Sequence, residues 1–118
     1  MDQDMVILTR TFDFLDWLIP HTLNFPRSQR FVVTKRLQDA VLDFYECVLD
    51  ANHRQGAARL EKQRQADAAL DKVRQYLRLA ARWQWLSQGQ HHHAAMLVAE
   101  LGRLLGGWIK QTAKRVGT

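Results

Sequence analysis

Apolar and polar residues alternate along this chain with the period of an α-helix in four successive segments. Within each segment the apolar residues recur at steps of three and four, which places them on one helix face. The segments span about residues 5–24, 26–52, 57–86 and 91–114. Only two Pro and six Gly occur in 118 residues, and the long stretches between them consist of good helix formers. The pattern therefore predicts an all-α fold.

The apolar face of each predicted helix identifies the expected core. Because the helices of a bundle bury these faces against each other, the four sets should meet in one interior. In chain order the expected core residues are Met5, Leu8, Phe12, Leu15, Ile19 and Leu23; Phe31, Leu37, Val41, Phe44, Val48 and Ala51; Leu60, Ala66, Leu70, Val73, Leu77 and Ala80; and Leu97, Leu101, Leu105, Trp108 and Ile109.

Proline and glycine mark the breaks between the segments. Pro20 should kink the first helix or end it near Ile19, because its ring removes a backbone donor and clashes with the preceding turn. Pro26 is the expected first residue of the second helix, and Gly56 should close the second turn with a positive φ. Residues 87–90 form the third connection. Long helices with short connections predict an antiparallel up-down-up-down four-helix bundle, in a single domain of residues 1–118.

The charge of the chain is concentrated in its second half. The formal net charge is +5, and an apolar content of 47% is too high for a disordered protein. Residues 1–50 contain five Lys and Arg against eight Asp and Glu, a balance of −3, whereas residues 51–118 contain twelve against four, a balance of +8. A strongly basic half indicates a polyanionic partner, although any single Arg on a helix surface is more often solvated or paired.

Several classes of protein are excluded by what the sequence lacks. No apolar run is long enough for a helix to cross a membrane. The acidic start at residues 1–4 lacks the features of a secretory signal, so we expect a cytoplasmic protein. The single Cys47 excludes an internal disulfide and a multi-cysteine zinc site, and its apolar neighbours indicate a buried, inert thiol.

Three arginines follow one face of the third predicted helix. Arg74, Arg78 and Arg82 stand at steps of four, a spacing at which like charges repel by a few tenths of a kcal/mol per pair. Heights counted from the turn near residue 55 bring Arg27 and Arg30 to the same end of the bundle. The nearest run of carboxylates lies lower, so the triplet should lack a partner in its own chain. It would then contact either a neighbouring subunit or an external phosphate or acidic protein.

Aromatic residues interleave with these arginines. Tyr76, Trp83 and Trp85 are candidates for stacking on unpaired bases. At helical spacing, such residues are more often anchors in the core or at a subunit interface, and we favour that interpretation.

The fourth predicted helix carries a ridge of small residues. Ala95, Ala99, Gly102 and Gly106 follow each other at steps of four, three and four. Glycine inside a helix costs about 1 kcal/mol relative to alanine, so two on one stripe indicate close approach of another helix. That helix belongs either to the same bundle or to another subunit, and Trp108 fits an interface anchor.

The sequence contains no catalytic or metal-binding constellation. Adjacent residues of a helix point about 100° apart, so the run from His91 to His93 cannot converge on one ion, and a solvated helix start is favoured. Glycine-rich phosphate loops, nucleophile motifs and the Glu-x-x-His pairs of di-metal bundles are absent. We therefore expect no enzymatic activity, no cofactor and no metal.

Three stretches resemble a known family, the accessory variability determinant (Avd) proteins of diversity-generating retroelements. Residues 96–109, MLVAELGRLLGGWI, are similar to the C-terminal helix of that family. Residues 66–78 share its alanine-aspartate start and its two arginines four apart. Pro20 and residues 25–27, Phe-Pro-Arg, match around the first connection. The wider four-helix-bundle family includes the ribosomal-RNA intervening-sequence proteins.

The resemblance implies a non-enzymatic accessory protein of a retroelement reverse transcriptase. Avd proteins form basic homopentameric barrels, bind nucleic acid and the reverse transcriptase, and support adenine-directed mutagenic copying of a template RNA. Arg74 and Arg78 match the family directly and would belong to its functional surface. Arg82, Arg27 and Arg30 are added from bundle geometry. The alternative function is a structural bundle whose only partner is another protein.

Overall fold

Four long helices account for most of the structure. The computed structural model describes residues 3–117, and the side chains of residues 6–117, so the predicted core position of Met5 lies outside the described side chains. The elements are α1 (Gln3–Thr22), a short 3-10 helix (Arg27–Gln29), α2 (Val33–Asn52), α3 (Gly56–Arg82) and α4 (Gln88–Arg115). Residues 3–117 contain no β-strand. The predicted all-α four-helix fold is confirmed.

Hydrogen bonds between successive helices show that they run in opposite directions. The end of α1 lies beside the start of α2, where Gln38 Nε2 donates to Thr22 Oγ1 at 2.8 Å. The start of α3 lies beside the end of α4, where Gln63 Nε2 donates to Thr112 Oγ1 at 2.9 Å. The bundle is therefore of the up-down-up-down type.

Aromatic contacts close the ring of helices and define its ends. Trp17 near the end of α1 lies against His93 near the start of α4, with ring centroids 4.9 Å apart. Phe25 in the first connection contacts Trp85 in the third, with ring centroids 5.3 Å apart. These two connections therefore lie at the same end of the bundle, as the heights counted from sequence predicted. We call it the connection end.

The predicted core is confirmed for the last three helices. Every predicted residue of α3 is buried, and those of α4 are buried or half-buried. In α2 the buried apolar residues begin at Leu37, because Phe31 precedes the helix and is 79% exposed. The predicted inward position of Phe31 is wrong.

The predicted inner face of α1 is also wrong. Phe12 and Leu23 are 59% and 78% exposed, and Leu8, Leu15 and Ile19 are half-buried. The buried stripe is displaced around the helix and consists of Ile7, Thr11, Phe14, Leu18 and Thr22. Its polar members are satisfied locally, since the hydroxyl of Thr11 donates to the carbonyl of Ile7 at 2.7 Å and that of Thr22 to the carbonyl of Ile19 at 2.6 Å.

The helix boundaries depart from prediction around the first connection. α1 continues past Pro20 to Thr22, three residues beyond Ile19, although proline was expected to end or kink it there. Pro26 does not start the second helix, because it precedes a 3-10 turn and α2 begins only at Val33. Gly56 adopts a φ of +60° where α3 begins, as predicted.

The third connection, residues 83–87, lies earlier in the chain than the predicted residues 87–90 and ends in a cap. α3 stops at Arg82, after which Gln84 adopts a left-handed φ of 63° and breaks the helix. Ser87 Oγ accepts from the amide of Gln90, and the Gln90 side chain accepts from the amide of Ser87. This reciprocal capping box starts α4 at Gln88 rather than at His91.

Arg59 joins the end of α2 to α3. Its guanidinium donates to the carbonyl oxygens of Ala51 at 3.0 Å, Arg54 at 2.8 Å and Asn52 at 3.3 Å. The same group lies 5.6 Å from the ring centroid of Trp108. Arg59 therefore caps α2 and covers the core, and it is not a free member of the basic surface.

Candidate nucleic-acid interface

The three arginines of α3 border the groove between α3 and α4. Arg78 and Arg82 line a depression of about 350 Å³ together with His91. Arg74 and Arg78 line an adjoining recess of about 230 Å³, whose floor includes Val98 of α4. The structure thus brings Arg74, Arg78 and Arg82 into one continuous row. We call this surface, with His91, the arginine groove.

Within residues 6–117, a carboxylate neutralises one member of the row, Arg74. Arg74 Nη1 lies 2.6 Å from Asp71 Oδ1, one turn earlier on the same helix. The prediction that the triplet lacks a partner in its own chain is therefore wrong for Arg74, because the i,i+3 carboxylate of its own helix was overlooked. Arg78 and Arg82 are exposed and form no ion pair within residues 6–117. The half of the groove nearest the connection end carries uncompensated positive charge.

His91 is a groove residue that sequence reasoning missed. It is half-buried in the first turn of α4 and lines both recesses of the arginine groove. It also borders a further depression of about 690 Å³, together with Arg82, Gln84 and His92. The signal was available in the Ser87–Gln90 capping box, because a helix that starts at residue 88 brings His91 onto its first turn.

The histidine run does not form a metal site. His92 and His93 are exposed, and His93 lies beside Trp17 on the α1 side of α4, away from the arginine groove. Within the described part of the chain, no group of three or more His, Cys, Asp or Glu side chains is arranged to hold a metal ion.

The aromatic residues near the groove fall into two groups. Tyr76 and Trp85 are partly buried and pack against the core, as favoured from the sequence. Trp83 is 46% exposed, with its ring centroid 5.1 Å from that of Trp85. Trp83 therefore presents an aromatic face at the connection end, next to Arg82.

Arg27 and Arg30 lie at the connection end but outside the arginine groove. Both are exposed, and both line a separate cavity of about 80 Å³ between the first connection and α2. The Cζ atom of Arg30 lies 5.9 Å from the ring centroid of Phe31. The predicted height of these residues is right, whereas their face of the bundle differs from that of the α3 arginines.

The small-residue ridge of α4 borders the arginine groove. Ala95 and Ala99 are exposed, and Gly102 and Gly106 are half-exposed. A Cβ atom at Gly106 would meet no neighbouring atom within 4 Å, whereas at Gly102 it would lie 2.6 Å from the tip of the Arg74 side chain. The Arg74 side chain of α3 therefore packs beside Gly102, and Ala95 and Ala99 line a recess of the arginine groove, whereas Gly106 has no described neighbour beside it.

Trp108 occupies a different environment from that ridge. Its side chain is 1% exposed and belongs to the core of the chain. The ring is covered by the Arg59 guanidinium and is not accessible to a second subunit. The interpretation of Trp108 as a subunit anchor therefore conflicts with its burial, and close packing inside the bundle accounts for it.

The neighbouring groove, on the other side of α3, carries an acidic surface. Asp43, Glu46 and Asp50 line the groove between α2 and α3, together with Cys47. Lys62 Nζ lies 3.9 Å from Asp50 Oδ2. Burial raises the pKa of the half-buried Cys47 thiol, and the charge of Lys62 opposes that effect. Positive and negative surfaces thus lie on different faces of the bundle.

The described part of the chain contains no helix of the length and apolar character needed to cross a membrane.

Comparisons with known proteins agree with this architecture. The structure is similar to that of a protein of unknown function from the S23 ribosomal protein family of Bacteroides thetaiotaomicron, with a TM-score of 0.84 and 19% sequence identity. The similarity covers 92% of this chain and 99% of the other, and at this identity it shows the fold alone. No curated protein matches the chain in sequence. A sequence profile of the bAvd-like family matches residues 5–112, from α1 into α4, and the chain belongs to that family.

Proposed function

We propose that this protein is a non-enzymatic accessory factor of a diversity-generating retroelement in the cytoplasm. It binds template RNA or complementary DNA through the arginine groove and associates with the retroelement reverse transcriptase. Family membership supports the biological setting. The observation that carries the nucleic-acid role is the row of three arginines, of which Arg78 and Arg82 lack a carboxylate partner among residues 6–117.

The row suits phosphate groups by its chemistry and its length. Guanidinium groups bind phosphate oxygens through two parallel hydrogen bonds. The eight residue steps from Arg74 to Arg82 rise by roughly 12 Å along the helix axis, the length of about three to four stacked nucleotides. Phosphate contacts of this kind position a strand without reading its sequence. The exposed ring of Trp83 at the end of the row is available for an unpaired base.

A salt titration of oligonucleotide binding tests this role. We expect single-stranded RNA and DNA to bind, with log Kd rising linearly with log salt concentration by about 0.7 for each phosphate neutralised. Replacing Arg78 and Arg82 with Ala should weaken binding to all sequences and reduce the slope by roughly 1.4.

A matched double variant controls for net charge. Arg54 and Arg64 are exposed and lie towards the other end of the bundle. Changing both to Ala lowers the net charge by two, as the groove variant does. The Arg54→Ala/Arg64→Ala protein should keep the slope of the unmodified protein more closely than the groove variant does. Equal losses in the two variants, or binding that does not depend on salt, would contradict a role for the arginine groove.

Self-association is part of the same proposal. The end of the ridge at Gly106, which is not among the residues that line the arginine groove, offers a surface that a helix of a second copy can approach closely. The resemblance to Avd proteins implies a homopentamer. Light scattering on the purified protein would measure the number of copies, and a strictly monomeric protein at micromolar concentration would contradict this part of the proposal.

The alternative function is that of a structural bundle that binds only proteins. Exposed apolar side chains at the connection end favour it, namely Leu23, Phe31, Val32 and Trp83. Genes adjacent to the one encoding this chain distinguish the two functions. A neighbouring reverse transcriptase gene with paired template and variable repeats supports the retroelement role, and copurification with that polymerase tests the partner directly.

A further inference from the structure

A second polar site lies on the other face of the connection end, in the cavity beside the start of α2. The cavity has a volume of about 80 Å³, well above the roughly 10–15 Å³ that one water requires. Its polar lining consists of Arg27, Arg30, Thr22, Thr34 and Gln38. No carboxylate is among the residues that line it, so the cavity offers donors and positive charge.

Thr34 provides an unused donor in this lining. Its residue is only 4% exposed, and its Oγ1 atom is buried without a hydrogen-bond partner within the described structure. A buried hydroxyl without a partner is uncommon, because the group loses its hydrogen bonds to water and gains none in return. Gln38 does not satisfy it, since Gln38 Nε2 donates to Thr22 Oγ1 instead. The hydroxyl of Thr34 therefore lacks a partner among residues 6–117 and is available to a ligand.

The start of α2 adds further donors at the same place. The N-cap residue is Val32, which has no polar side chain, and no side-chain cap forms. The amides that precede the first intrahelical bond, at Val33, Thr34 and Lys35, are therefore uncapped. Thr34 lies in this first turn and lines the cavity, so the positive end of the helix dipole borders it.

We propose that this cavity binds a tetrahedral oxyanion, in the form of a phosphate group. The Thr34 hydroxyl and the amides of the first turn of α2 donate to its oxygens, and Arg27 and Arg30 neutralise its charge. Two sources share this chemistry, inorganic phosphate and the backbone phosphate of a nucleic acid. The site follows from its own geometry, and only its assignment to a nucleic-acid backbone rests on the proposed function.

The test is a titration of the isotope-labelled full-length protein with inorganic phosphate, followed by amide resonances at constant ionic strength in chloride. We expect saturable shifts at residues 33–35. Thr34→Val, which removes the hydroxyl and keeps the shape, should weaken phosphate binding about tenfold or more, because a hydrogen bond to a charged group is lost. Thr34→Ser should retain binding, and Arg27→Ala/Arg30→Ala should lose it.

Controls separate this site from general charge and from folding defects. Arg36→Ala removes an exposed charge of the same helix that does not line the cavity, and it should bind phosphate like the unmodified protein. Phosphate should raise the melting temperature of the unmodified protein but not that of Thr34→Val. If Thr34→Val fails to fold, Arg27→Ala/Arg30→Ala still tests the site, because both arginines are exposed and their replacement should not prevent folding. Absence of saturable shifts, or unchanged affinity in both Thr34→Val and Arg27→Ala/Arg30→Ala, would overturn the proposal.

An oligonucleotide without terminal phosphates distinguishes the two sources. If it shifts residues 33–35 and displaces inorganic phosphate, the site binds a nucleic-acid backbone. If only inorganic phosphate does so, the site binds the free anion. Both results support the site. Failure of the proposed function has a separate signature, in which the oligonucleotide binds nowhere on the protein while the phosphate titration still saturates.

Discussion

Replacement of Arg59 should destabilise this bundle more than replacement of any exposed arginine. Its guanidinium donates to three carbonyl oxygens at the end of α2 and covers the ring of Trp108. Removal of the side chain takes a charged donor from these oxygens, of which that of Ala51 keeps the Arg54 amide at 3.2 Å, and opens the core at Trp108. The effect therefore combines lost capping with lost shielding of an aromatic residue.

The magnitude follows from these contacts. A hydrogen bond to a charged group contributes about 1.5–3 kcal/mol, and a cation over an aromatic ring about 0.5–1 kcal/mol at an exposed site. The three hydrogen bonds share one half-buried group and one is long at 3.3 Å, so they do not add. We expect Arg59→Ala to lower the free energy of unfolding by about 2–4 kcal/mol. Arg59→Lys keeps the charge but not the planar group and should lose about half as much.

Urea unfolding followed by circular dichroism measures the effect. Arg64→Ala is the matched control, because Arg64 is exposed on the same helix, and its change should stay within about 0.5 kcal/mol. An Arg59→Ala protein within about 0.5 kcal/mol of the unmodified one would refute the reasoning. So would equal losses in Arg59→Ala and Arg64→Ala, since these would make the effect one of net charge.

Three further predictions concern other parts of the fold. Ser87→Ala removes the hydroxyl that accepts a hydrogen bond from the Gln90 amide in the capping box. It should lower the free energy of unfolding, measured by urea unfolding, by about 1 kcal/mol. Because burial raises the pKa of Cys47, the alkylation rate of its thiol should rise at higher pH than that of a free thiol. Lys62→Met should move the midpoint of the pH–rate curve higher still, because the charge of Lys62 lowers this pKa. Any stability gained from the protonated thiol is lost as pH rises through this pKa. Gly106→Ala, whose methyl meets nothing within 4 Å, should stabilise the isolated chain by about 0.5–1 kcal/mol, yet weaken self-association in light scattering if the ridge contacts a second copy.

The inner face of α1 could not be predicted from spacing alone. Apolar residues occur on nearly every side of this helix, so more than one stripe satisfies the helical period. The buried stripe contains Thr11 and Thr22, which hydropathy places outside. Both bond to a carbonyl of their own helix, which removes the cost of burying a hydroxyl. In α2 and α3, by contrast, charged residues occupy the outer face, and only one apolar stripe remained.

Helix ends were predictable where a side chain determines them. Gly56 was identified because a positive φ favours glycine, and the structure has φ of +60° there. The Ser87–Gln90 capping box was equally visible in sequence, and it places the start of α4 three residues before the predicted one. The start of α2 has no such signal, since Val32 offers no cap. Its boundary depends on tertiary packing of the first connection.

The arginines show which part of a site bundle geometry determines. The i,i+4 spacing of Arg74, Arg78 and Arg82 was sufficient to put them in one row, because a single helix carries all three. Heights counted from a turn also placed Arg27 and Arg30 at the correct end. Height does not specify the face, and these two residues line a cavity on the α2 side. The pairing of Arg74 with Asp71, by contrast, follows from the i,i+3 spacing of one helix and was predictable from the sequence.

The relation between the two arginine sets leads to a dependence on ligand length. The Phe25–Trp85 contact holds the first and third connections together, so Arg30 and Arg78 keep a fixed separation around the connection end. A strand that covers only the arginine groove, roughly 12 Å of helix, reaches Arg78 and not Arg30. If the proposed function holds, Arg30→Ala should leave the affinity for oligonucleotides of four nucleotides unchanged. For a strand of 20 nucleotides, the same variant should lower the slope of log Kd against log salt concentration by about 0.7. Arg78→Ala should weaken the binding of both lengths. Fluorescence anisotropy with the two lengths measures this difference, and an equal effect of Arg30→Ala on both would mean that the two sets do not bind successive parts of one strand.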